Sequence, residues 1–301
     1  MKTLALTVLV HEGPMARAYL GMLHASGYRV ERVLLMVNKR DPANGRALLP
    51  WLPAPLRRPF AKKVQDLRMN HWPREFLRRH EESCHRWLAA LAAHYGFDPR
   101  TCYSFSELPT YARYAQQVDE VFVDSLADPA LERHLRGLTG PRALLFTGGG
   151  MVPASLLEIP QCRFLHVHPG VLPSVRGADG LLWSLLLRGR PGASVFYMSP
   201  GLDTGDVIET GEFDPPPLPD GFAAMDIASR YRLLYSFLDP LLRARMLLRV
   251  IERAPTANLC ALPAKAQSGA DGSTFHFMSA RLRRFTFDRL CSMASLRGEP
   301  A

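Results

Sequence analysis

The sequence predicts an α/β protein built on a doubly wound, mostly parallel sheet, and three observations carry that reading. Thr3–Val10 and Val30–Val37 are continuous apolar runs, the pattern of strands buried on both faces. Between them Met15, Tyr19, Met22 and Leu23 recur at helical spacing, from Gly13-Pro14 to a stop at Gly27. Later in the chain the alternation returns, with strands expected at Glu120–Val123, Arg142–Phe146, Phe164–His168 and Ser194–Met198.

The first turn, HEGPMAR, is not a GxGxxG fingerprint and gives no support to a nicotinamide cofactor. Residues 40–100 break the rhythm: they are rich in Arg and Pro and read as a helical insertion of short helices ending at Gly96. A helix is expected over Pro129–Leu138, and Gly148, Gly149 and Gly150 follow the next strand. Asp179 reads as the N-cap of a helix over Leu181–Arg188 that Gly189 ends. The turn GLDTGDVI leads into a strand near Val207–Thr210. Asp239-Pro240 reads as a helix start, with Leu241, Ala244, Leu248 and Ile251 on its apolar face. From Ala254 the chain is weakly patterned: TFHFM reads as a strand, and the last ten residues are expected to be loose. The expected organisation is one catalytic unit over 1–254 and a short C-terminal extension over 255–301.

Composition bounds the partners. At 301 residues, 47% hydrophobic and 22% charged, the chain can build a sizeable core and has no apolar run long enough to span a bilayer. The opening MKTLALTVLVHEG lacks a small-residue cleavage pattern and reads as a first strand, not a signal peptide. Five scattered cysteines without a CxxC point to reduced thiols in a cytoplasmic setting and against a disulfide frame or cysteine zinc site. The net charge is +9, and residues 51–86 hold nine Lys/Arg against four Asp/Glu. This admits nucleic acid, a phospholipid surface or a phosphorylated substrate without choosing among them. Trp51, Trp72 and Trp87 lie among these arginines, a mixture found both in interfacial helices and in packed ones.

The chemistry-bearing residues fall in two segments. In RFLHVHPG, a two-residue period puts His166 and His168 on one face, and Pro169-Gly170 ends the strand just beyond them. Ligands bind at such C-terminal strand edges in open α/β sheets, and an imidazole is suited to proton transfer near neutrality. In PGLDTGDVI, Asp203 sits in a glycine-flanked turn. The helix and strand after His168 make a return of Asp203 to the same edge natural, where a carboxylate can orient the imidazole and favour its charged form.

Together, HPGVLPSVRGADG and GLDTG resemble the signature of the folate-dependent formyltransferase family, through His168, Pro169, Leu172, Pro173, Gly177, Leu202, Asp203, Thr204 and Gly205. The resemblance covers about residues 142–210. It implies a Rossmann-like fold, 10-formyltetrahydrofolate as formyl donor, no metal, and an acceptor amine that attacks the formyl carbon to give a tetrahedral intermediate. By the same resemblance His168 stabilises that intermediate and passes protons, and Asp203 helps deprotonate the amine. Gly148, Gly149, Gly150 and Met151 fall on the folate side with Gly201 and Leu202, and Arg176 and Gly177 on the acceptor side. Where the family carries an Asn that donates to the oxyanion, this sequence has His166, and where it has Ser, Gly170. Loss of an oxyanion donor costs about 10²–10³ in rate, so His166 must either donate in its place or change the chemistry.

The tRNA-directed members of that family use a separate C-terminal barrel. Too few patterned residues follow Ala254 to build one, so a small-molecule amine is expected and nucleic acid is not. Two other readings stay open: a metal-dependent hydrolase using His166, His168 and Asp203, and a catalytically altered folate-binding or basic-surface protein. A membrane-surface contact through the insertion has no specific support.

Overall fold

The computed structural model describes residues 1–105, 110–253, 258–268 and 272–297. Its strands are β1 (Lys2–His11), β2 (Tyr28–Asn38), β3 (Ala115–Val123), β4 (Arg142–Phe146), β5 (Cys162–His168), β6 (Val175–Gly177), β7 (Gly192–Tyr197), β8 (Val207–Glu212) and β9 (Ser273–Phe275). Seven form one sheet in the order β3-β2-β1-β4-β5-β7-β8. The first five of these run parallel, while β7 is antiparallel to β5 and β8 to β7. β6 and β9 make a separate parallel pair.

The helices are α1 (Pro14–Ala25), α2 (Ala54–Met69), α3 (His71–Arg79), α4 (Glu81–Tyr95), α5 (Pro129–Arg136), α6 (Ala154–Leu157), α7 (Gly180–Arg188), α8 (Ile227–Leu233), α9 (Asp239–Arg253) and α10 (Ala280–Leu296). They cover both sheet faces, which is why β1 is apolar without alternation. Leu4, Leu6, Val8 and Val10 enter the core shared with α1 and α9, whereas Leu9 joins Leu34, Leu144, Phe146 and Phe164 against Leu131 and Leu135 of α5. The α/β, Rossmann-like, doubly wound and mostly parallel expectation is the architecture found.

The insertion is α2 to α4, closed by Gly96 in the left-handed region (φ 64°). A buried ionic network ties it to the sheet. Arg17 Nε donates to Glu12 Oε1 at 3.1 Å, and its terminal nitrogen donates to Asp66 Oδ1 at 2.5 Å. Glu12 also accepts from Asn70 Nδ2 at 2.9 Å and from the Tyr111 hydroxyl. With Arg17 wholly buried, each charge depends on its partners for the solvation it has lost. Trp87 is core, edge-on to Phe237 and donating to the Pro217 carbonyl; Trp72 lies under Arg232, and Trp51 is exposed.

Three local expectations change. Asp239 does not start a helix: α8 passes through a wide π turn, Leu234–Leu238, straight into α9, and Asp239 has helical backbone. The wide turn accommodates Pro240, whose missing N–H removes one rung of the ladder. Asp226 caps the whole run instead, accepting from Ser229 N at 3.0 Å. Asp179 precedes α7 but is left-handed (φ 54°), and its carboxylate makes no capping bond. It accepts from the Tyr231 hydroxyl at 2.7 Å and from Met278 N at 2.8 Å, fastening α8 and the C-terminal segment together. The last ten residues are helical as far as Leu296 rather than loose, because Phe287, Leu290 and Ala294 bury one face of α10; residues 298–301 lie outside the described residues.

Candidate active site

His166 and His168 occupy the end of the β5 face that carries Phe164 into the second core. Both are buried. They open on a cavity of about 580 Å³ at the C-terminal edge of the sheet. Asp203, from the turn after β7, lines the same cavity, so the three residues singled out in the sequence do converge.

His168 is held at both ring nitrogens. Nε2 lies 2.9 Å from the Val175 carbonyl oxygen, so it carries a hydrogen and donates. Nδ1 lies 3.3 Å from Asp203 Oδ2. Burial lowers the His168 pKa, and the Asp203 carboxylate opposes this by favouring the charged ring. Asp203 is fixed in turn by Gly177 N–H, which donates to Oδ2 at 2.8 Å. Its left-handed backbone (φ 55°) is the shape of the tight DTG turn.

His166 is held differently. Nδ1 donates to the Phe146 carbonyl oxygen at 2.9 Å, and the ring lies between Phe146 and Phe196 with centroids 5.9 Å from each. Burial pulls its pKa down to about 4, and the nearby Arg243 cation adds to this. At neutral pH the ring is uncharged, with its hydrogen on Nδ1 and a lone pair on Nε2.

Gly148, Gly149, Gly150 and Leu202 line the cavity with the histidines, as does Gly177. Met151 and Gly201 are not among the lining residues; the Met151 side chain is exposed. Arg176 does not face the cavity either. It is buried, and its guanidinium donates to Gln267 Oε1 at 3.2 Å and to the Ser268 carbonyl at 3.1 Å. This places it as a fastener of the segment after α9, not at the cavity wall where a phosphate or carboxylate would lie.

Other wall residues had no motif to announce them. Tyr231, Tyr235, Asp239 and Arg243 project into the cavity from the continuous α8–α9 run at four-residue intervals. Arg243 donates to the Val167 carbonyl at 2.8 Å and to Asp239 Oδ2 at 3.1 Å, and burial raises the Asp239 pKa against the pull of that arginine. Their spacing, a polar stripe on an apolar helix, is the signal that could have found them. His11 and Glu12 come from the first turn, and Phe275, His276 and Phe277 from the C-terminal segment. A second cavity of about 570 Å³, mainly apolar, lies in the insertion beside Val64, Leu67 and Trp72 and shares Met69 with the first. It holds none of the paired groups. Among the described residues no group of three or more His, Cys, Asp or Glu is placed to hold a metal ion, which leaves the hydrolase reading without a ligand set. Nor is any helix among them long and apolar enough to cross a membrane.

A His–Asp pair thus lies at the edge of a mostly parallel sheet, in a cavity rimmed by glycines. Residues 116–214 match the profile of the formyl transferase family. The chain is similar to the methionyl-tRNA formyltransferase of Syntrophus aciditrophicus, 31% identical over 107 residues, 35% of this chain and 34% of that one. The corresponding protein of Thermus thermophilus is 31% identical over 158 residues, 52% of this chain and 45% of that one. The match thus spans from about a third to under half the length of these relatives. Among solved structures the chain is similar to a sugar N-formyltransferase from Shewanella, at 11% identity and a TM-score of 0.41 over 96% of this chain and 88% of that one.

Proposed function

We propose that this protein transfers a formyl group from 10-formyltetrahydrofolate to an amine of a small-molecule acceptor, an amino sugar or a metabolite amine. The observation that carries the reading is the His168–Asp203 contact, 3.3 Å, with both residues lining one cavity. The cavity walls suit a flat folate ring. Backbone at Gly149 and Gly150 has open space where a side chain would begin, and Leu202 offers exposed apolar surface opposite. When bound, the donor supplies an electrophilic formyl carbon. Asp203 then keeps His168 oriented and, against the effect of burial, favours the charged ring, so a proton taken up there during the reaction is stabilised. The segment after α9 supports a small acceptor: β9 and α10 pack on the catalytic unit, and Phe275 to Phe277 close one wall of the cavity.

The purified protein should bind 5-formyltetrahydrofolate in titration calorimetry, and with 10-formyltetrahydrofolate it should add a formyl mass to at least one member of an amino-sugar and amine panel. Asp203→Asn should keep folate binding and lose about 10²–10⁴ in turnover. Absence of any folate binding would overturn the reading.

A further inference from the structure

We infer that His166 is a proton acceptor for the attacking amine, acting through Nε2, and not a donor to the oxyanion. The inference rests on the formyl-transfer reading and deepens it. Its basis is a count of ring nitrogens. His168 has both committed, one to the Val175 carbonyl and one to Asp203. His166 has spent its single neutral N–H on the Phe146 carbonyl, 2.9 Å away. The peptide carbonyl can only accept, so this bond fixes the tautomer, and the flanking Phe146 and Phe196 rings hold the plane. Nε2 is therefore the imidazole nitrogen of the pair left with a free lone pair, on a residue that lines the cavity.

An amide at this position can present N–H to an oxygen. A neutral imidazole tied at Nδ1 cannot; it presents an acceptor. The groups around it keep it so. Arg243 on α9 opposes a second positive charge, as does His168 on the same strand, while Asp203 beyond β7 acts the other way and the Phe146 carbonyl on β4 favours the proton on Nδ1.

The step balances as follows. The amine nitrogen bonds to the formyl carbon, and one of its protons passes to His166 Nε2. The bond between that carbon and N10 of the folate breaks, and the proton that Nε2 has received passes to N10. Nε2 is then bare again for the next amine. The products are a formamide and tetrahydrofolate, with no net proton change.

The tautomer is tested first, on the wild-type protein without an acceptor. In ¹⁵N-histidine NMR at pH 7, with and without 5-formyltetrahydrofolate, His166 should show a protonated Nδ1 and a bare Nε2. A protonated Nε2 would overturn the inference. The second arm is kinetic, using 10-formyltetrahydrofolate and the amine found in the panel above. His166→Asn should lower kcat about 100-fold, with little change in folate affinity, and flatten the acidic limb of the kcat–pH profile. A variant as active as the wild type would return His166 to the donor role. If no amine and no folate reacts or binds, the function proposal falls, while the NMR result still decides the state of His166.

Discussion

A side-chain carbon at Gly170 would sit 2.8 Å from Nε2 of His168 and equally close to the Val175 oxygen that this nitrogen bonds. Gly170 therefore makes room for the hydrogen bond that aims the His168 imidazole. Gly170→Ala should push the ring off Val175, lower turnover at least tenfold and cost about 1–3 kcal/mol of stability as an overpacking change. Steady-state kinetics beside urea unfolding will check both; unchanged turnover would show that the bond is dispensable.

Gly177 is a second such position. It is left-handed (φ 92°), and a Cβ there would lie 2.1 Å from the Phe275 carbonyl oxygen across the β6–β9 pair. Gly177→Ala should part those strands and cost about 1–3 kcal/mol. Faster cleavage near residue 275 by a nonspecific protease, at a concentration that spares the wild type, would report the parting.

The network around Arg17, which reaches the cavity wall at Glu12, makes a stability prediction. Glu12→Gln leaves Arg17 short of negative charge in a buried place, which should cost about 3–5 kcal/mol. Denaturant unfolding measures it directly. A loss below about 1 kcal/mol would mean that Asp66 alone suffices for Arg17.

Acid stability should carry the mark of His166. Its folded pKa, near 4, is depressed below the ordinary 6.5 chiefly by burial, so between these values the unfolded chain binds a proton that the folded one refuses. Unfolding free energy should therefore fall as pH drops from about 6.5 to about 4. In His166→Asn this part of the slope should vanish. A variant whose slope matches the wild type across that window would contradict a buried neutral imidazole.

The legible parts of the molecule were those governed by local periods. The unbroken apolar runs of β1 and β2 follow from burial on both faces, and the two-residue period of β5 set His166 beside His168. The bonds that give those histidines different characters were not legible. Phe146 and Val175 contribute carbonyl oxygens, which leave no trace in residue type. Arg243 reaches Val167 from 76 residues away, on a helix whose polar stripe resembles an ordinary solvated face. Asp179 and Asp239 were legible as capping types, but Asp179 serves Tyr231 from a distant helix and Asp239 serves Arg243 one turn on in its own helix.

The small β6–β9 pair bears on how this site could be rebuilt. Residues 116–214 carry all three chemical side chains, yet Phe275, His276 and Phe277 complete their chamber, and Trp183 stacks on Phe275 with ring centroids 4.5 Å apart. A graft of the motif-bearing stretch alone would transplant the reagents without the vessel. A working chimera must bring residues 272–278 along with it, together with Gly177, whose bare backbone lets the seam close.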